Sequence, residues 1–143
     1  VSNNVLDKPG KLDDEEWIQM RRHSEFSEQI LSKISAFSDV ALIGGAHHER
    51  LDGKGYPRGL NASDIPMEVR IVSTADVFDA LTADRPYRAA MPIAKALSIL
   101  WEGAGQSHDP ICIEALERAL DRATLLQALP LQTGVKNDAE KAA

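Results

Sequence analysis

Cysteine, aromatic residues and long apolar runs are all scarce in this sequence of 143 residues, of which only 5% are aromatic. The single cysteine, Cys112, cannot close an internal disulfide or supply a cysteine cage, which excludes disulfide-rich secreted scaffolds and structural zinc fingers. No run of about 18 apolar residues occurs, so the sequence predicts neither a membrane span nor a signal peptide. We therefore expect a cytoplasmic protein.

Positive charge is also in short supply, because 16 Lys and Arg residues face 22 Asp and Glu residues and give a net charge of −6. Affinity for duplex nucleic acid comes mostly from Lys and Arg that neutralise phosphates, so this balance argues against duplex binding. Any recognition of phosphate must be local. The length corresponds to one domain, and 43% apolar residues are sufficient for a hydrophobic core.

Apolar residues recur at three- and four-residue steps, which predicts an all-α bundle of about five or six helices. After a loop over the first ten residues, Asp13 and Glu16 have capping-box spacing and predict a helix start. One helix or two follow, with a break near His23 and an apolar face over 17–37. A short buried helix is expected over 40–48, where two glycines either weaken it or permit close helix packing.

Proline residues mark the starts of the later helices. Pro66 precedes a long segment that we expect to form a mostly buried helix ending before Pro86. Pro92 and Pro110 open two further helices in the same way, with Asp109 as an N-cap. We expect four leucines of these helices to contact the core: Leu97, Leu100, Leu116 and Leu120. The pattern then dissolves into a polar tail over 124–143, which we expect to fray.

Three histidines and one aspartate, His23, His47, His48 and Asp76, have the ligand types of a hard metal site. Imidazole and carboxylate suit iron, manganese or zinc. Each residue also has an ordinary interpretation, since a histidine is often a core residue or a favoured cation at a helix end. Taken together in consecutive helices, the four residues favour a metal site.

Asp76 is the most informative of these residues because its helix is apolar. It shares a stripe with Val69, Val72 and Asp79, so we expect an inward face that carries two carboxylates. Burial of an unpaired carboxylate costs several kcal/mol, so a cation should lie opposite. That cation is either a metal ion or an arginine, Arg70 or Arg85 being the candidates.

Two further segments have features of ligand-binding loops. The glycine-rich segment 47–60, HHERLDGKGYPRGL, is long for a simple connector, and its backbone freedom suits close approach to a ligand or partner. Arg85 and Arg88 flank a proline-stiffened turn, where two guanidinium groups can clamp phosphate oxygens. Their alternative is an ion pair with Asp79 or Asp84.

The segments DKPGKL, HHERLDGKGYPRGL, ADVFDALTADRPYR and GAGQSHDP together resemble the HD-GYP domains, a branch of the HD superfamily of metal-dependent phosphohydrolases. The resemblance runs from about Leu6 to Leu116. It implies a helical bundle with a cluster of about two or three iron or manganese ions. It also implies hydrolysis of cyclic di-GMP to pGpG or GMP in bacterial signalling.

The same resemblance assigns roles to individual residues. It implies that the metal ligands are His23, His47, His48 and Asp76. It implies that the substrate-side residues are Asp79, Arg85, Arg88, Lys54 and Tyr56. The loop that shapes the pocket and, in some members, docks GGDEF-type cyclase domains would contain Gly53, Gly55, Tyr56 and Pro57.

Three features of the family have no counterpart ahead of DKPGKL: the His-Asp pair, the lysine after it and a further upstream ligand. We therefore expect residues 1–123 to be the C-terminal part of an HD-GYP domain that lacks its N-terminal helices and leaves an apolar face bare. Such a fragment would hold one ion or none and would be impaired in hydrolysis. A homodimer or a domain swap would cover the bare face, and an upstream receiver or sensor domain would precede it.

Two other functions remain compatible with these residues. The first is a catalytically silent module that senses a nucleotide or docks a partner through the glycine-rich loop. The second is an HD-type phosphohydrolase that acts on another nucleotide.

Overall fold

The computed structural model describes residues 1–6, 8–85 and 88–128, and it has no β-strand within these ranges. Short 3₁₀ turns at Ser35–Phe37 and Ala62–Asp64 precede the third and fourth helices. The all-α prediction is therefore confirmed for the described residues. The six helices are α1 (Asn3–Leu6), α2 (Asp14–Leu31), α3 (Ser38–Ala46), α4 (Met67–Thr82), α5 (Ile93–Glu102) and α6 (Pro110–Ala128).

Side-chain caps fix where two of the helices begin. Asp13 Oδ1 accepts a hydrogen bond from the Glu16 N–H at 2.9 Å, and Glu16 Oε2 accepts one from the Asp13 N–H at 2.8 Å. These two bonds complete the predicted capping box of α2. At the start of α6, Asp109 Oδ1 accepts from the Ile111 N–H at 2.9 Å, which confirms the predicted N-cap.

Three boundaries differ from the sequence-based expectation. Helix α2 passes through His23 without the predicted break, because the segment contains neither glycine nor proline. The first ten residues form the short helix α1, with Val5 buried, rather than a loop throughout. Helix α6 continues to Ala128, beyond the expected start of the polar tail, and residues 129–143 lie outside the described part of the chain.

Helices α2 and α3 pack closely because α3 contains two glycines. A Cβ atom at Gly45 would lie 2.9 Å from Glu28 Cβ, and one at Gly44 would lie 3.2 Å from Leu31 Cδ1. The sequence left open whether these glycines weaken the helix or permit close packing. The structure shows that they permit close packing.

Buried apolar side chains lie mainly where α4 meets its neighbours. Ala46, Ile65 and Val69 form one cluster beneath the glycine-rich loop. In the C-terminal part, α5 buries Leu100 completely, and Ile113 of α6 is also fully buried. The other leucines predicted to contact the core are half-buried: Leu97, Leu116 and Leu120.

Helix α4 is less buried than the sequence predicts. Only Val69, Ser73 and Thr74 are buried along it. Val72 is 39% exposed, and both Asp76 and Asp79 are exposed. Val69 begins the stripe that carries the two carboxylates and is fully buried, but the same face is exposed further along the helix. The predicted burial of the carboxylates is therefore wrong.

Large apolar side chains are exposed on α2, on α3 and on the connection between them. The predicted apolar face over 17–37 is therefore not a buried one. The most exposed residues on this side are Trp17, Ile18, Phe26, Ile30, Ile34, Phe37 and Val40. In the described ranges, no helix is both long enough and apolar enough to cross a membrane.

Candidate metal centre

Three histidine side chains converge where α2 meets the end of α3. His23 Nε2 lies 3.4 Å from His47 Nε2 and 3.0 Å from His48 Nε2. All three ligand atoms lie within 4.8 Å of one another. The close packing of α2 and α3 produces this arrangement, because His23 lies midway along α2 and the other two directly follow α3.

Backbone carbonyls fix the tautomers of two of these imidazoles. His23 Nδ1 donates to the Met20 carbonyl at 2.5 Å, and His47 Nδ1 donates to the Gly44 carbonyl at 2.8 Å. A carbonyl oxygen can only accept, so each Nδ1 carries the hydrogen and a neutral ring presents the Nε2 lone pair. This orientation is typical of histidines that bind a metal ion.

Burial keeps the third imidazole neutral. It lowers the pKa of His48 to about 4, and the neighbouring His47 and His23 lower this pKa further. A neutral imidazole is the form that ligates a metal, so His48 is already in its ligating form near neutral pH.

The spacing of the three nitrogens fits one metal ion. Two nitrogens that each lie about 2.1 Å from an ion are separated by about 3.0 Å at a right angle and by about 3.4 Å at the tetrahedral angle. The observed Nε2 separations are 3.0 and 3.4 Å. The histidine triad, His23, His47 and His48, can therefore hold a divalent metal ion.

Asp76 is exposed and does not belong to the group of possible ligands that the three histidines form. It forms no ion pair with another described residue. Arg70, one of its expected partners, instead pairs with Asp109 at 2.8 Å. The charge of Asp76 makes a minor contribution to the raised pKa of Tyr56. Its role as a ligand stays a prediction.

Tyr56 packs directly on the histidine triad. Its ring stacks on His48 with 4.7 Å between the ring centroids and 26° between the planes. Its N–H donates to the His48 carbonyl at 3.2 Å. Burial raises the pKa of Tyr56 to about 12, opposed by Arg21 and assisted by Asp76, so the phenol is neutral near pH 7.

Glu49 holds the glycine-rich loop in place, a role that the sequence did not predict. This carboxylate is 3% exposed. Its Oε1 accepts from the Arg58 N–H at 2.6 Å, and its Oε2 accepts from the Leu60 N–H at 2.8 Å. The only signal in the sequence is the position of an acid between the histidine pair and a run of glycines.

Gly55 allows the loop to pass against the backbone beside His48. A Cβ atom at this position would lie 2.4 Å from Arg50 N and 2.5 Å from Glu49 Cα, closer than real atoms come. Gly53 and Gly59 have φ values of +73° and +66°, which favour glycine. The predicted close approach of this loop therefore occurs within the chain itself.

An ion pair braces the start of the loop, and a hydrogen bond ties it to the α5–α6 turn. Arg50 donates to both carboxylate oxygens of Asp52, at 3.0 and 2.7 Å. This bond lowers the pKa of Asp52, and the Lys54 N–H contributes by donating to the same group at 3.1 Å. The Asp52 N–H donates to the Gln106 carbonyl at 2.9 Å. The loop is therefore ordered, as predicted.

The remaining residues that the resemblance assigns to substrate lie apart from this network. Lys54 is exposed on the loop, and Asp79 is exposed on α4. Arg85 and Arg88 pair through their backbones, the Arg85 N–H donating to the Arg88 carbonyl at 2.8 Å. The Arg88 guanidinium donates to the Ala80 carbonyl of α4.

Arg85 and Arg88 make no hydrogen bond or ion pair to the triad or the loop among the described residues. The alternative of an ion pair with Asp79 or Asp84 is also not present among them. Asp84 instead accepts from the Ala90 N–H at 2.8 Å.

A groove of about 630 Å³ opens beside the triad. His23, His48 and Tyr56 form one part of its wall, and the chain ahead of α2 and the first turns of α2 form the rest. The other lining residues are Val5, Leu6, Lys8, Gly10, Lys11, Leu12, Trp17 and Met20.

Comparisons with known proteins identify the family of the chain. Residues 3–111 match the HD domain family. The chain is 56% identical over 121 residues to the 3'3'-cGAMP-specific phosphodiesterase 3 of Vibrio cholerae, covering 85% of this chain and 26% of that protein. It is 46% identical over 129 residues to the cyclic di-GMP phosphodiesterase response regulator RpfG of Xanthomonas campestris pv. campestris, covering 89% of this chain and 34% of that protein.

The chain thus spans between about a quarter and a third of the length of these curated relatives. Among solved structures, its fold is similar to an HDG"Y"P protein from Bdellovibrio bacteriovorus, with a TM-score of 0.65 at 24% identity. That match covers 82% of this chain and 37% of the other. The chain therefore belongs to the HD domain family.

Proposed function

We propose that this chain contributes the metal centre of a phosphodiesterase that hydrolyses cyclic di-GMP to pGpG or GMP in bacterial signalling. The observation that carries this proposal is the histidine triad, whose Nε2 atoms are spaced for one divalent ion. The names of the relatives support a cyclic dinucleotide as substrate. Because one relative is named for 3'3'-cGAMP, that nucleotide is the second candidate.

The ion proposed for this site is iron or manganese, held by His23, His47 and His48. Asp76, whose charge contributes to the raised pKa of Tyr56, is proposed to add an oxygen ligand. When bound, such an ion supplies Lewis acidity toward a phosphoryl oxygen and an activated water. Imidazole together with carboxylate is a ligand set that iron accepts readily.

Positive groups of this chain are proposed to bind the phosphates. Arg85 is exposed, and Arg88 Nη1 is buried without a hydrogen-bond partner among the described residues, so it retains an unused donor. Lys54 is exposed on the loop, two residues before Tyr56 in the sequence. Asp79 is proposed to orient these groups from α4.

The glycine-rich loop is proposed as a docking surface for a GGDEF-type domain, with Gly53, Gly55, Tyr56 and Pro57 forming it. Its hydrogen bonds to Glu49 and Gln106 hold it in one conformation, which suits specific docking. The relative named as a response regulator supports a receiver domain in the same polypeptide. A cytoplasmic location, where cyclic dinucleotides act as messengers, belongs to this proposal.

Metal content and hydrolysis measured together test the proposed function. The purified chain is loaded with Fe(II) or Mn(II), bound metal is measured by mass spectrometry, and turnover of cyclic di-GMP and 3'3'-cGAMP is followed by chromatography. We expect about one ion in the chain and a loss of metal affinity of at least about 100-fold in His47→Ala, because a ligand is removed. His108→Ala, a histidine outside the triad, is the matched control and should keep its metal.

Two results would overturn the proposal. Unchanged metal affinity in His47→Ala would reject the histidine triad as the metal centre. Metal binding and nucleotide binding without any hydrolysis, also in the longer polypeptide proposed to carry the receiver domain, would reject the phosphodiesterase and favour the silent nucleotide-sensing module instead.

A further inference from the structure

We propose that the groove beside the histidine triad is the binding site for a purine base of the nucleotide, which stacks on Trp17. The inference rests on the proposed function for the identity of the nucleotide. It assigns a role to residues of α2 that lie outside the metal ligands and outside the glycine-rich loop.

The position and size of the groove support a nucleotide. It measures about 630 Å³ and has His23, His48 and Tyr56 in its wall. Sites for small molecules are typically about 300–1,000 Å³. A nucleotide with its phosphate near the triad would therefore extend its base along the groove, toward the chain ahead of α2.

An alternating series of rings and cations leads from the triad to this groove. Tyr56 stacks on His48, and the Arg21 guanidinium carbon lies 5.4 Å from the Tyr56 ring centroid. The same carbon lies 5.9 Å from the Trp17 ring centroid. Trp17 lines the groove and is 44% exposed, so part of the indole remains open to a flat ligand. Stacking of a base on such a ring contributes about 1–3 kcal/mol.

The charges around the groove also favour a nucleotide. Lys8 pairs with Glu16 and is therefore already engaged. Lys11 and Arg21 form no ion pair among the described residues, in a chain whose net charge is −6. Lys11, which lines the groove, and Arg21, which lies beside the Trp17 indole, can bind a phosphate or the acceptor edge of guanine.

An apolar side chain of a protein partner is the other occupant that the lining would suit. Val5, Leu6 and Leu12 provide a surface of that kind. The uncommitted cations and the adjoining histidine triad favour the nucleotide, because neither feature would help to bind an apolar side chain. The experiment below separates the two occupants.

Fluorescence of Trp17 in the metal-free chain tests the inference. The sequence has two tryptophans, so Trp101→Phe leaves Trp17 as the sole reporter. The chain is titrated in EDTA with cyclic di-GMP, with GMP and with ribose 5-phosphate, which has the phosphate and sugar but no base. We expect saturable quenching by the first two ligands and none by the third.

Substitutions then measure the contribution of the indole, with binding followed by calorimetry. In Trp17→Ala the dissociation constant should rise about 5- to 150-fold, the loss expected for one stacked base. In Trp17→Phe, which keeps an aromatic face, it should change by less than about threefold. The matched control is Phe26→Ala, because Phe26 is an exposed aromatic ring on the same helix that also faces an arginine, Arg22, at 4.9 Å.

Equal affinity in Trp17→Ala and the parent chain, equal quenching by ribose 5-phosphate, or an equal loss in Phe26→Ala would each overturn the inference. Failure of both nucleotides to bind would also overturn it and would favour the apolar partner. Because metal is absent throughout, failed hydrolysis in the earlier test leaves this readout intact. If Trp17→Ala does not fold by circular dichroism, Trp17→Phe and Arg21→Gln provide the comparison.

Discussion

The C-terminal helices and the site region are held together by different forces. Helices α4–α6 bury apolar side chains completely, among them Leu100 and Ile113. In the site region, α2 buries only Ser24, and Ile18 and Ile30 on the same helix are 62% and 64% exposed. The glycine-rich loop there is instead fixed by hydrogen bonds and by close backbone contacts.

The two regions should therefore respond differently to substitution. In an apolar core, the loss in the free energy of unfolding depends on how many buried side-chain atoms a substitution removes. A loop held by a buried carboxylate depends on the geometry of the hydrogen bonds to that group. A change of one atom in the carboxylate can therefore move the site while the helices stay folded. We therefore expect substitutions in the C-terminal core to change mainly the free energy of unfolding, and substitutions in the loop to change mainly the metal affinity.

The largest effect on stability is expected in the C-terminal region. Leu100→Ala removes a fully buried side chain and should lower the free energy of unfolding by about 3 kcal/mol. Ile111→Ala on α6 is the control, because that side chain is 62% exposed, and it should cost less than about 0.5 kcal/mol. Urea denaturation followed by circular dichroism measures both, and equal costs would show that this core does not hold the helices.

The C-terminal helices are also the part that the sequence predicted best. Pro66, Pro92 and Pro110 mark the starts of α4, α5 and α6 as expected, because proline fits the first turn of a helix and disrupts its interior. The cap at Asp109 was also predicted. These signals depend only on residues that are adjacent in the sequence, so the helix starts can be predicted without knowing the tertiary contacts.

The histidine triad was predicted as a set, but its surroundings were not. Periodicity placed Asp76 on the same face as Val69, which is buried, but that face is exposed further along α4. How far along a helix one face stays buried depends on contacts with other helices, which no window of one helix contains. Glu49 was missed for the same reason, since its partners at Arg58 and Leu60 depend on how the loop folds back.

An intermediate effect is expected from the ion pair that joins α4 to the start of α6. Asp109→Asn keeps the N-cap acceptor but loses the charge that faces Arg70 at 2.8 Å. We expect the free energy of unfolding to fall by about 2 kcal/mol at pH 7, the contribution of a hydrogen bond to a charged group. Metal affinity should not change, because neither residue of the pair forms a hydrogen bond with the triad among the described residues.

The same pair predicts a dependence on pH. Burial opposes ionisation of Asp109, but the hydrogen bonds from Arg70 and the Ile111 N–H outweigh it and leave the pKa below its usual value of 3.8. The stabilisation is therefore complete above that value and is lost as pH falls through the lowered pKa of the folded state. The stability difference between the parent and Asp109→Asn should shrink between about pH 5 and pH 2. A difference that persists at the acid end would assign the stability to packing instead.

The smallest cost in stability, and the sharpest test of the comparison, is expected at Glu49. The amide in Glu49→Gln can accept from only one of the Arg58 and Leu60 N–H groups, and it faces the other N–H with a donor. The free energy of unfolding should therefore fall by about 1 kcal/mol. The loop also carries Tyr56, which stacks on His48, so metal affinity should fall about tenfold, the effect of disturbing the support of a ligand. Glu25→Gln, an exposed acid on α2, should change neither quantity. If Glu49→Gln loses stability but keeps full metal affinity, the triad is set by the α2–α3 contact alone, and the loop serves another purpose than holding His48.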